Sequence, residues 1–268
     1  MKILLNEQPL EVSEGATLFA VRDEHKPEAD VLIVNGFPAG GDLPLGEGDG
    51  VVLIRRGEQP SKEELEALMA ARHTPGVHER VRKATVGIAG VGGLGSAVAI
   101  ALARIGVGHL VVADFDVVEP SNLNRQQYFV DQIGLPKVIA LKDNLRRIHP
   151  YVRVTTFNGR LTPDNLPEVF AEADVMVEAF DAADQKAMLT ETFLGRCPEK
   201  PLVAASGLAG SASSNTIVTR RSLGNLYMVG DGETAARPGE GLMAPRVGIA
   251  AHHQANAVLR LLLGEEPG

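Results

Sequence analysis

Thr85-Val-Gly-Ile-Ala-Gly90-Val-Gly92-Gly93-Leu-Gly95-Ser96, followed by Ala97-Val-Ala-Ile-Ala-Leu-Ala103, is the stretch that decides the fold. A short β-rich apolar run reaches glycines at 90, 92, 93 and 95, and an apolar helical run follows. Strand, tight turn and helix N-terminus in that order present unpaired backbone N–H groups to a phosphate. Glycine admits the close approach that any Cβ would block. A bare glycine match is weak, but a legible strand before it and helix after it give it weight.

Outward from that loop, strands and helices alternate. Strand-like runs at 108–114, 151–158, 174–180 and 201–206 are separated by helical runs at 137–148, 163–171 and 183–194. Segments 208–221 and 225–229 read as further strands, and 247–263 as a closing helix with apolar positions at helical spacing. Such alternation predicts an α/β fold, a Rossmann-like doubly wound, mostly parallel sheet over residues 84–268. Ahead of it, four short strand-like runs and one helical run within residues 1–57 predict a small α+β domain. Residues 58–83 read as a helical connector, in which Ser61 and Glu64 form a capping box before Lys62–Arg72.

The bulk composition narrows the function classes. With 44% hydrophobic and 22% charged residues, the chain of 268 residues is an ordinary globular protein. A net charge of −8 disfavours a nucleic-acid surface. Cys197 is the one cysteine, which excludes a disulfide framework and a cysteine-based zinc site. The opening Met1-Lys-Ile-Leu-Leu has no signal-peptide pattern, and no apolar run reaches the roughly 20 residues of a membrane span. A cytoplasmic protein with no membrane partner is expected.

Asp114 ends the second strand of the large domain, 19 residues past Gly95, where an acid receives ribose hydroxyls in dinucleotide folds. To that point an NAD-dependent oxidoreductase fits equally well. The next loop discriminates: Asp114-Phe-Asp116 leads to Ser121-Asn122-Leu-Asn124-Arg125-Gln126. Hydride transfer has no need of an arginine there. An ATP site does, because the attacked phosphorus gains charge in the transition state.

Gly90-Val-Gly-Gly-Leu-Gly-Ser96, Asp114-Phe-Asp116, Ser121-Asn-Leu-Asn-Arg-Gln126 and Ile133-Gly-Leu-Pro-Lys137 resemble, in order and spacing, the ThiF/MoeB/HesA adenylyltransferases. These are bacterial relatives of the ubiquitin-activating enzymes. Asp174-Val-Met-Val-Glu-Ala-Phe-Asp181 is similar to the family's strand ending in a magnesium-binding aspartate, and 241–264 to its closing segment. Residues 1–56 resemble ThiS, the ubiquitin-like β-grasp sulfur carrier, so the pattern is that of a ThiF subgroup with an N-terminal ThiS-like domain.

The resemblance implies ATP-dependent adenylation of the C-terminal glycine of a separately encoded ThiS-like sulfur carrier, in thiamine (thiazole) biosynthesis. It implies that Gly90, Gly92, Gly93 and Gly95 hold the phosphates, with Asp114 and Asp116 on the ribose side. Arg125 and Lys137 are then the phosphate-binding pair, with Asn122 and Gln126 in support, and Asp181 binds Mg²⁺. Catalysis falls to Arg125, Lys137 and Asp181, and a homodimer is implied.

Two departures from the family stand out. Many relatives hold zinc with two Cys-x-x-Cys pairs, which a single cysteine cannot supply, so no zinc is expected. Cys197, before Pro198 in a helix-to-strand loop, is expected to be inert rather than a covalent site. Arg72 is a poor match to the arginine that relatives lend to a neighbouring subunit. His252 and His253 read as packing or surface residues of the last helix. The competing readings are the oxidoreductase and a non-catalytic scaffold that binds carrier without turnover.

Overall fold

Strands β1 (Lys2–Leu5) and β2 (Gln8–Glu11) form a hairpin whose turn holds Asn6 and Glu7 at φ of 47° and 64°. Positive φ at both central residues is the geometry that matches strand twist in a two-residue hairpin. Helix α1 (Leu18–His25) starts at Thr17, whose hydroxyl accepts from Ala20 N. Strands β3 (Val31–Val34), β4 (Phe37–Pro38) and β5 (Gly50–Ile54) complete a sheet of order β2-β1-β5-β3-β4, with β1 and β5 parallel at its centre. Ile3, Leu18, Val21, Leu45, Val51 and Leu53 are buried between α1 and that sheet. This is the expected β-grasp, with the two-residue β4 as an addition.

The computed structural model describes residues 1–268 and divides them into two units, Met1–His78 and Glu79–Gly268. The connector helix α2 (Lys62–Arg72) therefore packs as part of the front unit. Asn6 Nδ2 donates to Glu64 Oε1 at 2.6 Å and Lys26 pairs with Glu58 at 2.9 Å. Helix α3 (Val77–Val81) crosses the division.

In the second unit, β6 (Thr85–Ala89), α4 (Gly93–Arg104), β7 (His109–Asp114), α5 (Lys137–Ile148) and β8 (Arg153–Asn158) follow in order. After α6 (Leu166–Val169) come β9 (Val175–Glu178), α7 (Ala183–Arg196) and β10 (Leu202–Ala205). Strands β11 (Val218–Leu223) and β12 (Leu226–Gly230) and helix α8 (Ala244–Leu262) end the chain. The sheet order is β11-β12-β10-β9-β6-β7-β8, parallel throughout except for β11. From β6 the chain moves outward through β7 and β8, then returns to place β9 on the other side of β6. A crevice opens beyond the strand ends at that reversal, which is where ligands bind in doubly wound sheets.

Two segments differ from expectation. Helix α6 covers only Leu166–Val169, because Thr162 and Asn165 close on each other's backbone N–H groups and hold a turn at 162–165. Residues 208–217 are not strand. Gly210 has φ of 72°, Ser214–Thr216 is a single helical turn, and Arg246 takes the carbonyls of Ala212 and Ser213. No helix is long and apolar enough to cross a membrane.

Candidate active site

The glycine loop closes on itself before it meets any ligand. Gly90 has φ of 85°, and a Cβ there would lie 2.8 Å from Ala179 O, just past the end of the neighbouring strand β9. A Cβ on Gly95 would collide with Gly90 O, so this glycine serves the turn's own closure rather than ligand access. Gly92 is the N-cap of helix α4 and makes no side-chain cap bond, so the helix's first N–H groups are left open where Gly92, Gly93 and Leu94 line the cleft.

The loop that carries the cations is pinned behind this turn. Tyr128 is buried and donates its hydroxyl to Val91 O at 2.7 Å, and burial pushes the phenol's pKa up, keeping it a donor. Gln127 N donates to Ser96 Oγ at 3.2 Å, and that hydroxyl donates to Gly92 O at 2.6 Å. Arg125 and Gln126 are thereby directed into the cleft. Arg125 Nη1 rests on Asn124 Oδ1 at 2.8 Å. Gln126 is 8% exposed and its Oε1 has no partner within the chain, an orphaned acceptor on the cleft wall.

Asp114 accepts Val91 N at 2.8 Å on one oxygen and Asp116 N at 2.9 Å on the other. Each oxygen retains a lone pair for a ribose hydroxyl. Burial raises the pKa of Asp114, while the two N–H groups and Lys137 act to lower it. Lys137 begins α5 and donates to Asp116 Oδ2 at 2.8 Å. Asp181, exposed on the facing wall at the end of the β9 turn, has Asp184 beside it in the cleft.

A cleft of about 550 Å³ thus gathers Gly90, Gly92, Gly93, Asp114, Asp116, Arg125, Gln126, Lys137 and Asp181. Asn122 and Gly95 lie outside its lining. Asn122 is buried, and its Oδ1 accepts from Glu119 N at 3.0 Å, bracing the Pro120–Asn124 turn. Arg72 pairs with Glu7 inside the front unit at 3.1 Å. Cys197 packs against the core of the second unit, outside the cleft. His252 and His253 bond to Gly248 O and Thr219 Oγ1 and likewise lie outside it.

Sequence reasoning missed two buried ion pairs that shape the walls. Glu178, 1% exposed at the end of β9, is held by Lys186 of α7 at 2.9 Å; burial drives its pKa up and Lys186 draws it down. Arg246, 3% exposed, donates to Asp231 Oδ2 at 2.6 Å, to Thr216 Oγ1, and to the carbonyls of Ala212 and Ser213. It joins the 207–217 and 231–243 loops, both of which border the cleft. Burial acts to raise the carboxyl of Asp231, but bonds from Thr234, Glu233 and Arg246 hold it at about 2.

Chemically, the cleft offers a helix N-terminus and two cations for phosphate, and an acid for ribose. No group of three or more His, Cys, Asp or Glu side chains is placed to hold a metal. The donor set instead fits Mg²⁺, which needs one or two carboxylates when phosphate oxygens and waters complete its shell. Asp181 and Asp184, which line the same cleft, are the carboxylates that could hold it.

This is the architecture of a nucleotide-binding α/β enzyme with a ubiquitin-like unit in front. Residues 66–268 match the model of the ThiF family and residues 1–57 that of ThiS-like ubiquitin; the chain belongs to the ThiF family. Its segment of 195 residues is 33% identical to the molybdopterin-synthase adenylyltransferase of Escherichia coli, over 69% of this chain and 76% of that protein. Another relative, adenylyltransferase and sulfurtransferase MOCS3 of Culex quinquefasciatus, is 29% identical over 70% of this chain but 43% of its own length. Both of these relatives are adenylyltransferases. Among solved structures, the E. coli tRNA N6-threonylcarbamoyladenosine dehydratase TcdA in complex with ATP superposes with a TM-score of 0.63 at 25% identity, over 73% of this chain and 92% of that one. Its AMP complex gives a TM-score of 0.65 at 24% identity, over 73% and 93%.

Proposed function

We propose that this chain is an ATP-dependent adenylyltransferase that joins AMP to the C-terminal glycine of a separately encoded ThiS-like sulfur carrier, in the thiazole branch of thiamine biosynthesis. The observation that carries it is the convergence of Arg125, Lys137 and the N-terminus of α4 on one cleft, opposite Asp181. Two cations beside a glycine loop suit a triphosphate better than the two-phosphate bridge of a dinucleotide.

The carrier's terminal carboxylate is ionised at neutral pH and is itself the nucleophile. It attacks the α-phosphorus, a C–O–P bond forms, and pyrophosphate leaves with the electron pair of the broken P–O bond. No general base is required, and the cleft contains no Ser/His/Asp set. Arg125 and Lys137 offset the charge that gathers on the phosphate oxygens, and Asp114 orients the ribose. Mg²⁺ held through Asp181 would add charge neutralisation at those oxygens when bound. The chain acts as a homodimer in this reading.

The test is mass spectrometry of candidate carriers incubated with the full chain, ATP and Mg²⁺. A ThiS-type carrier gaining the mass of AMP, with carrier-dependent ATP–pyrophosphate exchange, is the expected result. Adenylation of a molybdopterin-type carrier alone would move the reading to that pathway. Exchange with no carrier at all would overturn it.

A further inference from the structure

Below the Asp181 turn lies a buried carboxylate, paired with a partly exposed ammonium, that the adenylation chemistry does not use. Glu178 Oε1 accepts Phe180 N at 2.7 Å and Lys186 Nζ at 2.9 Å, and Oε2 accepts Lys186 Nζ at 3.0 Å. Lys186 also donates to Ala205 O at 3.1 Å, at the end of the neighbouring strand β10. An ammonium has three donors, and these acceptors occupy all of them, so Lys186 is not free to bind substrate although it borders the cleft.

Stability alone does not account for the pair. Burying a carboxylate costs several kcal/mol, and a buried ion pair replaced by apolar groups of similar volume is often neutral or better. What it supplies is position. The bonds tie the first residues after β9 to the start of α7, and Asp181 lies on the turn between them. The same turn abuts the phosphate loop, since Ala179 O leaves no room for a Cβ on Gly90.

We propose that Glu178 and Lys186 are positioning residues: they pin the 179–184 turn against the glycine loop and so hold the Asp181 carboxylate where a divalent ion carried on a nucleoside triphosphate meets it. This rests on the reading of the cleft as a metal–nucleotide site. A small shift of the turn would leave the nucleotide's ribose and cation contacts in place while moving the one carboxylate that serves the ion. Loss of a partner that orients a metal ligand typically lowers metal affinity about 10–100-fold.

Calorimetric titration of the intact chain with ATP, in Mg²⁺ and again in EDTA, tests this without reference to turnover. Wild type should bind ATP more tightly with Mg²⁺, and D181A should lose that gain. K186M should lose most of the gain while its metal-free ATP affinity stays within about twofold, and K186R, which keeps the charge, should recover part of it. The double variant D181A/K186M should be no worse than D181A, since the lysine acts through the aspartate. Additive losses, an unchanged K186M, or equal weakening with and without metal would overturn the proposal. E178Q, which retains an acceptor for Phe180 N but removes the charge, makes the same comparison if K186M does not fold. Absence of any Mg²⁺ gain in the wild-type chain would instead overturn the metal reading of Asp181 itself.

Discussion

Lys137 Nζ lies 2.8 Å from Asp116 Oδ2, and this cleft lysine is only 6% exposed. The lysine backbone begins α5, where the positive end of the helix adds to its charge. Asp116 is half exposed, so its half of the contact is open to exchange with a phosphate oxygen. The pair holds the buried lysine side chain in one place in the absence of nucleotide, which lowers the ordering cost when a triphosphate arrives.

Arg125→Ala and Lys137→Ala should each lower carrier adenylation by about two orders of magnitude, the usual cost of one lost contact to transition-state charge. Circular dichroism of both variants should match wild type, because Arg125 bonds only its own turn and Asp116 can turn to water. A folded variant with near wild-type exchange activity would remove that residue from the mechanism.

Adenylation should cease in EDTA and return with Mg²⁺, and Asp181→Ala should need far more Mg²⁺ for half-maximal rate. The expectation follows from Asp181 and Asp184 lining the cleft, a pair of carboxylates suited to a hard ion. Elemental analysis of the purified chain should show no stoichiometric zinc. One tightly held zinc per chain would contradict this.

The bonds that Asp231 accepts from Thr234, Glu233 and Arg246 should give the second unit a characteristic acid profile. The folded-state pKa of Asp231 is depressed to about 2 from an ordinary 3.8. Its contribution is therefore fully present above about pH 4 and is lost as pH falls through the folded value. By linkage it amounts to at most about 2 kcal/mol at neutral pH, reduced by solvent screening. Asp231→Asn should lower the melting temperature at pH 7, and the gap from wild type should narrow between pH 4 and 2. A gap that is constant with pH would show that the carboxylate's charge is not what holds the loops.

The front unit should not be a substrate of its own chain. After β5 the backbone runs through Arg55-Arg56-Gly57 into a turn closed by Glu58 N on Arg55 O, and Gly57 carries an amide where a carrier has a free carboxylate. An amide carbonyl cannot act as the nucleophile. Intact-mass measurement after incubation with ATP and Mg²⁺ should find no AMP on the full-length chain. Glu64→Ala should loosen helix α2, which hydrogen exchange would register as faster exchange across 62–72.

The chain's local patterns already determine its two folds and most of one cleft wall. Alternating apolar runs, the glycines after Ala89 and the acid at the end of β7 act over a few residues, so their meaning survives without tertiary contacts. Gly90, Asp114, Arg125 and Lys137 could be placed from spacing because strand ends and helix starts bring them to one edge of the sheet. Tertiary structure alone decided the rest. Asn122 stands in the same motif as Arg125 but turns inward to brace its own turn, a choice between two hydrogen-bond partners that spacing does not show. The strand expected across 208–217 is a loop because Arg246, more than 30 residues downstream, binds its carbonyls. Glu178 reads only as a residue of the 174–180 strand and Lys186 only as one of the 183–194 helix until β9 and α7 bring the two charges together. Charges acquire such roles through burial and long-range proximity, and neither is written in the order of residues along the chain.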